Sequence, residues 1–314
     1  MLDIIVLGSA AGGGFPQWNC RCANCARAWA GDPAAPPRSQ SSLAVGGESG
    51  WFLLNAAPDL RQQIAATPLL QPSEGARHSP IAGVVLTNAE IDHVAGLLHL
   101  RERHPLSLYA TLRVHQALDG NPMFNALDVA AVRRHPLVLD EPVDLVLPEG
   151  KKSGLSVRPF AVPGKVALYL EDASAGDNFG SQGEDTVALE VSAGSTSFFY
   201  VPGCAEITPS LADRLRGATL VFFDGTLWRD DELIAGGVGR KTGGRMGHIS
   251  MSGEHGSIAS FANLGVRRKI FVHINNTNPA IVADSPERAR LVDAGWEIAD
   301  DGMRITLPEQ PVHS

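Results

Sequence analysis

An apolar run from Ile81 to Leu86 gives way abruptly to Thr87-Asn88-Ala89-Glu90-Ile91-Asp92-His93, and the apolar segment Val94 to Leu98 follows. Strand, polar turn and helix in that order commit this part of the chain to a sheet whose strand ends carry polar side chains. Acidic and imidazole groups gather at the mouth of a sheet in such turns. Adjacent Asp92 and His93 offer one carboxylate and one imidazole to a single ion. Two ligands do not make a site, so a third has to come from elsewhere.

Two other apolar runs end in the same way. Phe271-Val272-His273-Ile274-Asn275-Asn276 places a histidine where a strand meets a polar turn, and His273 is the expected third ligand. A lone histidine there also suits a satisfied core position. Asp224 closes the run Leu220 to Phe223 and is read as a helix cap or turn residue, a fourth ligand, or an acceptor that orients a metal histidine or His248. His248 follows the glycine-rich stretch 235–247. Its ordinary pKa lies near neutrality, so it is the candidate for moving a proton or hydrogen-bonding a substrate. The stretch 235–247 either closes as a lid that brings Arg240, Lys241 and Arg245 to a ligand or stays a solvated loop.

A separate cluster lies near the N-terminus. Cys20-Arg21-Cys22-Ala23-Asn24-Cys25 puts three thiols at C-x-C-x-x-C spacing, and thiolates so placed converge on one soft ion, zinc first among them. A Cys20–Cys22 disulfide would be strained and would leave one thiol over; the bland alternative is a set of inert buried thiols. With no open coordination position, the expected role is structural. The chain has only four cysteines, too few and too clustered for a secreted disulfide framework. The N-terminus has no charged region ahead of its first apolar run, and the expectation is a cytoplasmic protein. A net charge of −8 argues against a general nucleic-acid binder, and no apolar run approaches the ~20 residues of a membrane span. The turn Gly8 to Gly14 lacks the spacing of a nucleotide loop and reads as tight backbone packing.

Strands are expected at 4–7, 42–45, 51–54, 81–86, 106–110, 157–161, 166–170, 186–191, 197–201, 219–223 and 269–274. Helices are expected at 92–103, 112–117, 209–215, 257–264 and 285–294, with another running from Pro58 through Ile64. Gly46 to Gly50 reads as a hairpin turn, and 171–184 as a surface hairpin loop. Strands first, then strands alternating with helices, imply an α/β (α+β) protein with sheets packed face to face and helices outside. With no repeat or linker, residues 1–314 form one expected domain.

The strand, Thr87-x-x-x-x-Asp92-His93 and helix resemble the T-H-x-H-x-D-H motif of the metallo-β-lactamase fold, a four-layer αββα sandwich. Leu54 to Asp59 stands where that family has its strand-end Asp-Ala-Gly, and His273 where it has its last metal histidine. The Cys20–Cys25 insertion is similar to the zinc clasp of the phosphodiesterase branch. Segments 12–22, 222–228, 245–253 and 273–279 together resemble the coenzyme PQQ synthesis protein B family.

The departures from the hydrolases of the fold are specific. Asn88 and Glu90 replace two histidines, Lys165 follows Pro163-Gly164 where a histidine would, and Cys204 stands in place of the bridging aspartate. A two-metal hydrolytic site is therefore not supported. Two histidines and one carboxylate with open positions suit Fe(II) and oxygen activation, although zinc accepts the same ligands.

The resemblance implies synthesis of pyrroloquinoline quinone (PQQ) through iron-dependent hydroxylation, by molecular oxygen, of the tyrosine ring of a Glu-Tyr derived precursor. The alternatives are a non-enzymatic carrier that helps PQQ or its precursor reach the periplasm, and a metal-dependent hydrolase. Asp92, His93 and His273 would hold Fe(II). Asn88, Glu90 and Arg245 would contact the precursor, with Arg240 and Lys241 adding cations for its carboxylates. Asn276 would complete the structural zinc clasp, and a homodimer is compatible with this picture.

Overall fold

The computed structural model describes residues 1–47, 49–176 and 178–309. Strands β1 (Leu2–Gly8), β2 (Ser42–Gly47), β3 (Gly50–Leu54), β4 (Ile81–Val85), β5 (Leu106–Thr111) and β6 (Val132–Leu137) lie side by side in chain order. The second sheet holds β7 (Val143–Val146), β8 (Lys152–Ala161), β9 (Val187–Ala193), β10 (Thr196–Val201), β11 (Leu220–Asp224), β12 (Arg268–Val272) and β13 (Glu297–Ile298), again in order. The last strand, β14 (Arg304–Leu307), crosses back to pair antiparallel with β1. Pairing is antiparallel from β1 to β3 and from β7 to β10, and parallel from β3 to β6 and from β10 to β13.

The period-2 alternation of strands sorts their side chains into layers. In β11, Leu220 and Phe222 join the core between the sheets, while Val221 and Phe223 join the core outside the second sheet. In β4, Val85 faces the inner core and Val84 the outer one. Because both faces are covered, these strands read as continuous apolar runs rather than alternating ones. The outer cores are closed by Leu60, Val114 and Leu118 on one side and by Leu211, Leu215 and Leu291 on the other. These side chains come from helices Leu60–Ala66, Leu112–Asp119, Pro209–Leu215 and Pro286–Asp293. Helix, sheet, sheet, helix is the four-layer sandwich expected. Thr111, Thr208 and Ser285 cap three of these helices with their side-chain oxygens, and a proline begins two of them. No helix among the described residues is long and apolar enough to cross a membrane.

Phe222 is fully buried between the sheets, edge-on to Phe198 at 5.7 Å between ring centroids. Phe222→Ala is expected to lower unfolding free energy by about 3–5 kcal/mol, the cost of lost burial plus a cavity. Chemical denaturation with an unchanged slope checks it; a change under about 1 kcal/mol would mean the layers do not meet there.

Several expected elements come out differently. Residues 166–170 are not a strand. Leu168–Leu170 is a 3-10 turn that lies over the 87–93 turn, with the Leu168 N–H donating to Glu90 and the Tyr169 hydroxyl to the Ala89 carbonyl. The loop 171–184 lies, as expected, within a hairpin connection, the long one between antiparallel β8 and β9 that closes at Ala161 opposite Val187, and it holds the 3-10 turn Ala173–Ala175. The expected helix 92–103 is one α-turn, Ile91–Val94, followed by the 3-10 segment Ala95–Leu100. The Gly96 N–H donates to the Ala56 carbonyl at 2.9 Å instead of back along the helix, and a Cβ there would stand 2.2 Å from the Ala57 carbonyl, so the chain is pressed against its neighbour where the α-turn ends. Helix Leu60–Ala66 starts two residues after Pro58, and the expected helix 257–264 shortens to Ser257–Ser260. Strands β6, β7, β13 and β14 and helix Ala23–Trp29 were not expected. Glu48 of the hairpin turn and Asp177 of the 171–184 loop lie outside the described residues.

Candidate metal centre and its cavity

The C-terminal ends of β4, β11 and β12 reach one rim, the usual place for ligands in sheets of this kind. Beyond β4, Asn55 anchors the turn: its amide oxygen accepts the Thr87 N–H at 2.9 Å, and its amide nitrogen donates to the Thr87 hydroxyl at 3.0 Å. The Asn88 amide oxygen accepts the Glu90 N–H at 3.0 Å and meets His93 Nδ1 at 2.8 Å. That oxygen can only accept, so Nδ1 carries the hydrogen and Nε2 is left with a bare lone pair. His93 is 2% exposed, and its Nε2 is buried without a hydrogen-bond partner.

Beyond β12, His273 takes a left-handed backbone conformation with φ 57°. Such a conformation costs a non-glycine residue about 1–3 kcal/mol and persists only where its surroundings impose it. Here the Ile274 N–H donates to Ser9 and the Asn275 N–H to Thr226, fixing the turn from two sides. The reversal points His273 Nε2 at Asp92 Oδ2, 3.0 Å away, and sets its ring edge-on to His93 at 5.4 Å. Gly12, in the glycine turn after β1, faces the same carboxylate; a Cβ there would come within 3.3 Å of Asp92 Oδ2. Close backbone approach, rather than nucleotide binding, is what that turn provides.

Asp92, His93 and His273 thus offer three ligand atoms within 4.8 Å of one another. Burial alone would push the Asp92 carboxyl up, but His93 and His273 outweigh it and hold it well below the usual carboxylate range. Burial pushes His93 down to about 4, so it is neutral at physiological pH. Burial also opposes charge on His273, but the hydrogen bond and charge of Asp92 win and shift it upward. An unpartnered imidazole nitrogen, a second imidazole and an ionised carboxylate form a donor set that fits a divalent cation.

Asp224 is fully buried. It makes no hydrogen bond to the trio; with His248 and His273 it forms a second group whose ligand atoms lie within 4.8 Å of one another, and its Oδ2 lies 2.7 Å from His248 Nδ1. His248 therefore presents Nε2 to the cavity, and its ring stacks on His273 at 5.2 Å. Cys204 donates its N–H to Asp224 at 2.9 Å, but burial pushes its thiol up to about 12 and the sulfur turns to the Glu206 carbonyl. No thiolate bridges toward the trio.

A cavity of about 520 Å³ opens above these groups, lined by Asn88, Glu90, Lys165, Arg240, Lys241, His248 and the trio, among others. Glu90 is held by Lys165 Nζ at 2.8 Å. Arg245 is not among the lining side chains: its guanidinium makes a two-pronged bond to Glu171 at 2.7 and 3.1 Å and lies 3.7 Å above the Phe179 ring. That pairing holds the Glu171 carboxyl down at about 2. The glycine-rich stretch 235–247 is a rim with its own short helix, Gly243–Met246, capped by Thr242.

The cysteine cluster is a second centre, on the other side of the 273–278 turn. Helix Ala23–Trp29 carries Cys25, and the Cys20, Cys22 and Cys25 sulfurs lie within 4.8 Å of one another as free thiols. The Asn276 amide nitrogen sits 3.1, 3.7 and 3.3 Å from the three sulfurs in that order. The two ends of a carboxamide are nearly the same shape; turned over, its oxygen faces the same point as a ligand. Burial pushes the Cys25 thiol up to about 12, and a metal ion would be needed to hold it as thiolate.

Sequence reasoning missed the orienting part of Asn88, the pairing of Lys165 with Glu90, and Thr226. Thr226 is 4% exposed and touches Asp224, His248 and His273. The signal was Asp224-Gly225-Thr226 at a strand end, where a hydroxyl two residues beyond a buried carboxylate can reach back to it.

Residues 50–274 match the family described as beta-lactamase superfamily domain. The coenzyme PQQ synthesis protein B of Gluconacetobacter diazotrophicus is 56% identical over 98% of this chain and 100% of its own. That of Rhodopseudomonas palustris is 53% identical over the same shares. The crystal structure of zinc-bound PqqB from Methylobacterium extorquens is 50% identical, covers 97% of this chain and 100% of its own, and superposes with a TM-score of 0.91. A diphosphatase of the PhnP family, 21% identical over 97% of this chain and 96% of its own, shares the fold at a TM-score of 0.67.

Proposed function

This chain belongs to the coenzyme PQQ synthesis protein B family of the β-lactamase superfamily, and on that premise we propose that it hydroxylates a precursor of pyrroloquinoline quinone with Fe(II) and molecular oxygen. The target is the tyrosine ring of a Glu-Tyr derived precursor. The observation that carries this reading is the trio Asp92, His93 and His273 beside positions 88, 90, 165 and 204 that no longer offer metal ligands; Asp224 and His248, which also lie near His273, are bonded to each other. Asp92, His93 and His273 would hold one ion. The neighbouring Glu90 and Lys165 neutralise each other, Asn88 is bonded to His93, and Cys204 is a neutral thiol turned away.

Held by Asp92, His93 and His273, Fe(II) would have positions open for other ligands and would supply oxygen activation. Zinc, the ion bound in the Methylobacterium extorquens relative, accepts the same ligand types and offers no redox chemistry. The rest is the chain's own work. His248 Nε2 faces the cavity with its Nδ1 held by Asp224, so it can take the proton of a phenol in the cavity. Arg240 and Lys241 give the rim two cations for the precursor's carboxylates. The two sheets share one inner core, which supports a single working domain.

The test is oxygen uptake with Fe(II), a chemical reductant and the Tyr-containing precursor. Loss of precursor is expected to track oxygen consumed, and the product to gain one oxygen atom. Identical products with and without oxygen would end the hydroxylase reading. Tight binding of the quinone without turnover would mark a carrier.

A further inference from the structure

The ligand trio and the Asp224–His248 pair are joined by one hydroxyl. Thr226 Oγ1 lies 2.6 Å from Asp224 Oδ1, 2.8 Å from His273 Nδ1, 3.0 Å from His248 Nδ1 and 3.1 Å from the His273 carbonyl. A hydroxyl has one hydrogen to give and two lone pairs with which to accept, so these four contacts cannot all be of one kind.

Counting hydrogens settles them. Asp224 is fully buried and brings acceptors only: Oδ1 receives the Thr226 N–H at 3.0 Å, and Oδ2 the Cys204 N–H at 2.9 Å and His248 Nδ1 at 2.7 Å. The Thr226 hydrogen has three acceptors in reach, a carboxylate at 2.6 Å, a carbonyl at 3.1 Å and, in one tautomer, His273 Nδ1 at 2.8 Å. The shortest bond, to the charged group, wins. The Thr226 oxygen is then left with lone pairs alone, so His273 Nδ1 must be the donor to it. His248 Nδ1 must likewise carry its hydrogen, since the carboxylate it faces has none to give.

We propose that Thr226 is a positioning residue: it holds a hydrogen on His273 Nδ1, so that Nε2, which faces Asp92 and His93, is the nitrogen whose hydrogen a metal replaces. This rests on the reading of Asp92, His93 and His273 as the ligands. Asn88 does the same for His93 from the other side of the site, so both ligand histidines are set to the same tautomer by neutral acceptors. Thr226 also couples the two halves of the site, because the acceptor that fixes His273 is itself fixed by the carboxylate that fixes His248. His273 is 5% exposed, so without Thr226 its Nδ1 hydrogen would be buried with no acceptor. The ring would then keep its one hydrogen on Nε2, bonded to Asp92 Oδ2 at 3.0 Å, and a metal taking that place would force the hydrogen onto a buried Nδ1 with no acceptor.

The experiment measures zinc affinity by chelator competition on metal-stripped wild type, Thr226→Val, Thr226→Ser and His93→Ala, with histidine nitrogen NMR on the zinc-loaded wild type. Thr226→Val keeps nearly the same shape without the hydroxyl. It is expected to weaken the active-site zinc by about 10–100-fold, the usual cost of losing a partner of a metal histidine. Thr226→Ser restores the hydroxyl and is expected to bind close to wild type. The spectra are expected to place hydrogen on Nδ1 of His273 and zinc on Nε2. Wild-type affinity in a folded Thr226→Val protein would overturn the proposal, as would a spectrum with hydrogen on Nε2 of His273. If the valine protein does not fold, the wild-type spectrum still decides. His93→Ala separates the premise: if it keeps its full zinc, the ligand reading fails and takes this proposal with it. If it loses one zinc while Thr226→Val loses no affinity, only the assignment of Thr226 fails.

Discussion

His93→Ala is expected to lose the active-site ion and, with it, turnover, while the metal-free protein stays folded. The loss should exceed the roughly 10–100-fold that follows removal of a mere partner of a ligand, because a donor atom itself is gone. The second half of the expectation comes from burial. In the metal-free protein His93 Nε2 is a buried nitrogen with no partner, so the imidazole already carries a desolvation penalty that alanine removes. That gain offsets part of the cavity left beside Asn88. Metal content by elemental analysis and thermal melting of the stripped proteins check both halves. Full metal retention, or collapse of the stripped variant, would contradict the role given to His93.

Cys25→Ser is expected to have the larger effect on stability. Cys25 is fully buried, and its sulfur is one of three that converge on the Asn276 amide. A serine hydroxyl is shorter and a far poorer zinc ligand than a thiolate, so the clasp ion would be lost together with the free energy it lends the folded state. A drop of roughly 3 kcal/mol or more is expected, on the order of 10 °C at 2–4 °C per kcal/mol. The clasp also bears on the active site, since Asn24 donates to the carbonyls of Asn276 and Asn278, in the turn that follows His273. Zinc content and the melting midpoint of Cys25→Ser beside wild type test this. An unchanged midpoint with zinc retained would reduce the three thiols to inert core residues.

Much of this arrangement is legible in the sequence because both faces of the strands are buried. Runs such as Leu220 to Phe223 and Ile270 to Val272 are apolar throughout, and each stops at a polar residue of the site. What escaped lies where local pattern and tertiary contact disagree. Strand β6, Val132-Arg133-Arg134-His135-Pro136-Leu137, is an edge strand whose central residues face solvent in part, so it lacks the apolar signature. Residues 166–170 have that signature, yet Leu168 and Tyr169 lie over the 87–93 turn, where hydrogen bonds to Glu90 and Ala89 outweigh strand propensity. The ligand-type residues were visible as residue types at strand ends. Their orientation was not, because the groups that set it are amides and hydroxyls whose roles depend on a hydrogen count in three dimensions. Asn88 and Thr226 are such groups. Arg245 shows the converse: its charge pointed to substrate, but Glu171, far away in sequence, holds it.

One ion is expected at Asp92, His93 and His273 and a second, separate ion at the cysteine clasp. Elemental analysis of anaerobically purified wild type, His93→Ala and Cys25→Ser in parallel measures this most directly. Wild type is expected to hold one iron and one zinc per chain, His93→Ala to lose the iron alone, and Cys25→Ser to lose the zinc. Two ions lost from His93→Ala with the clasp intact would restore a two-metal hydrolytic site and contradict the account.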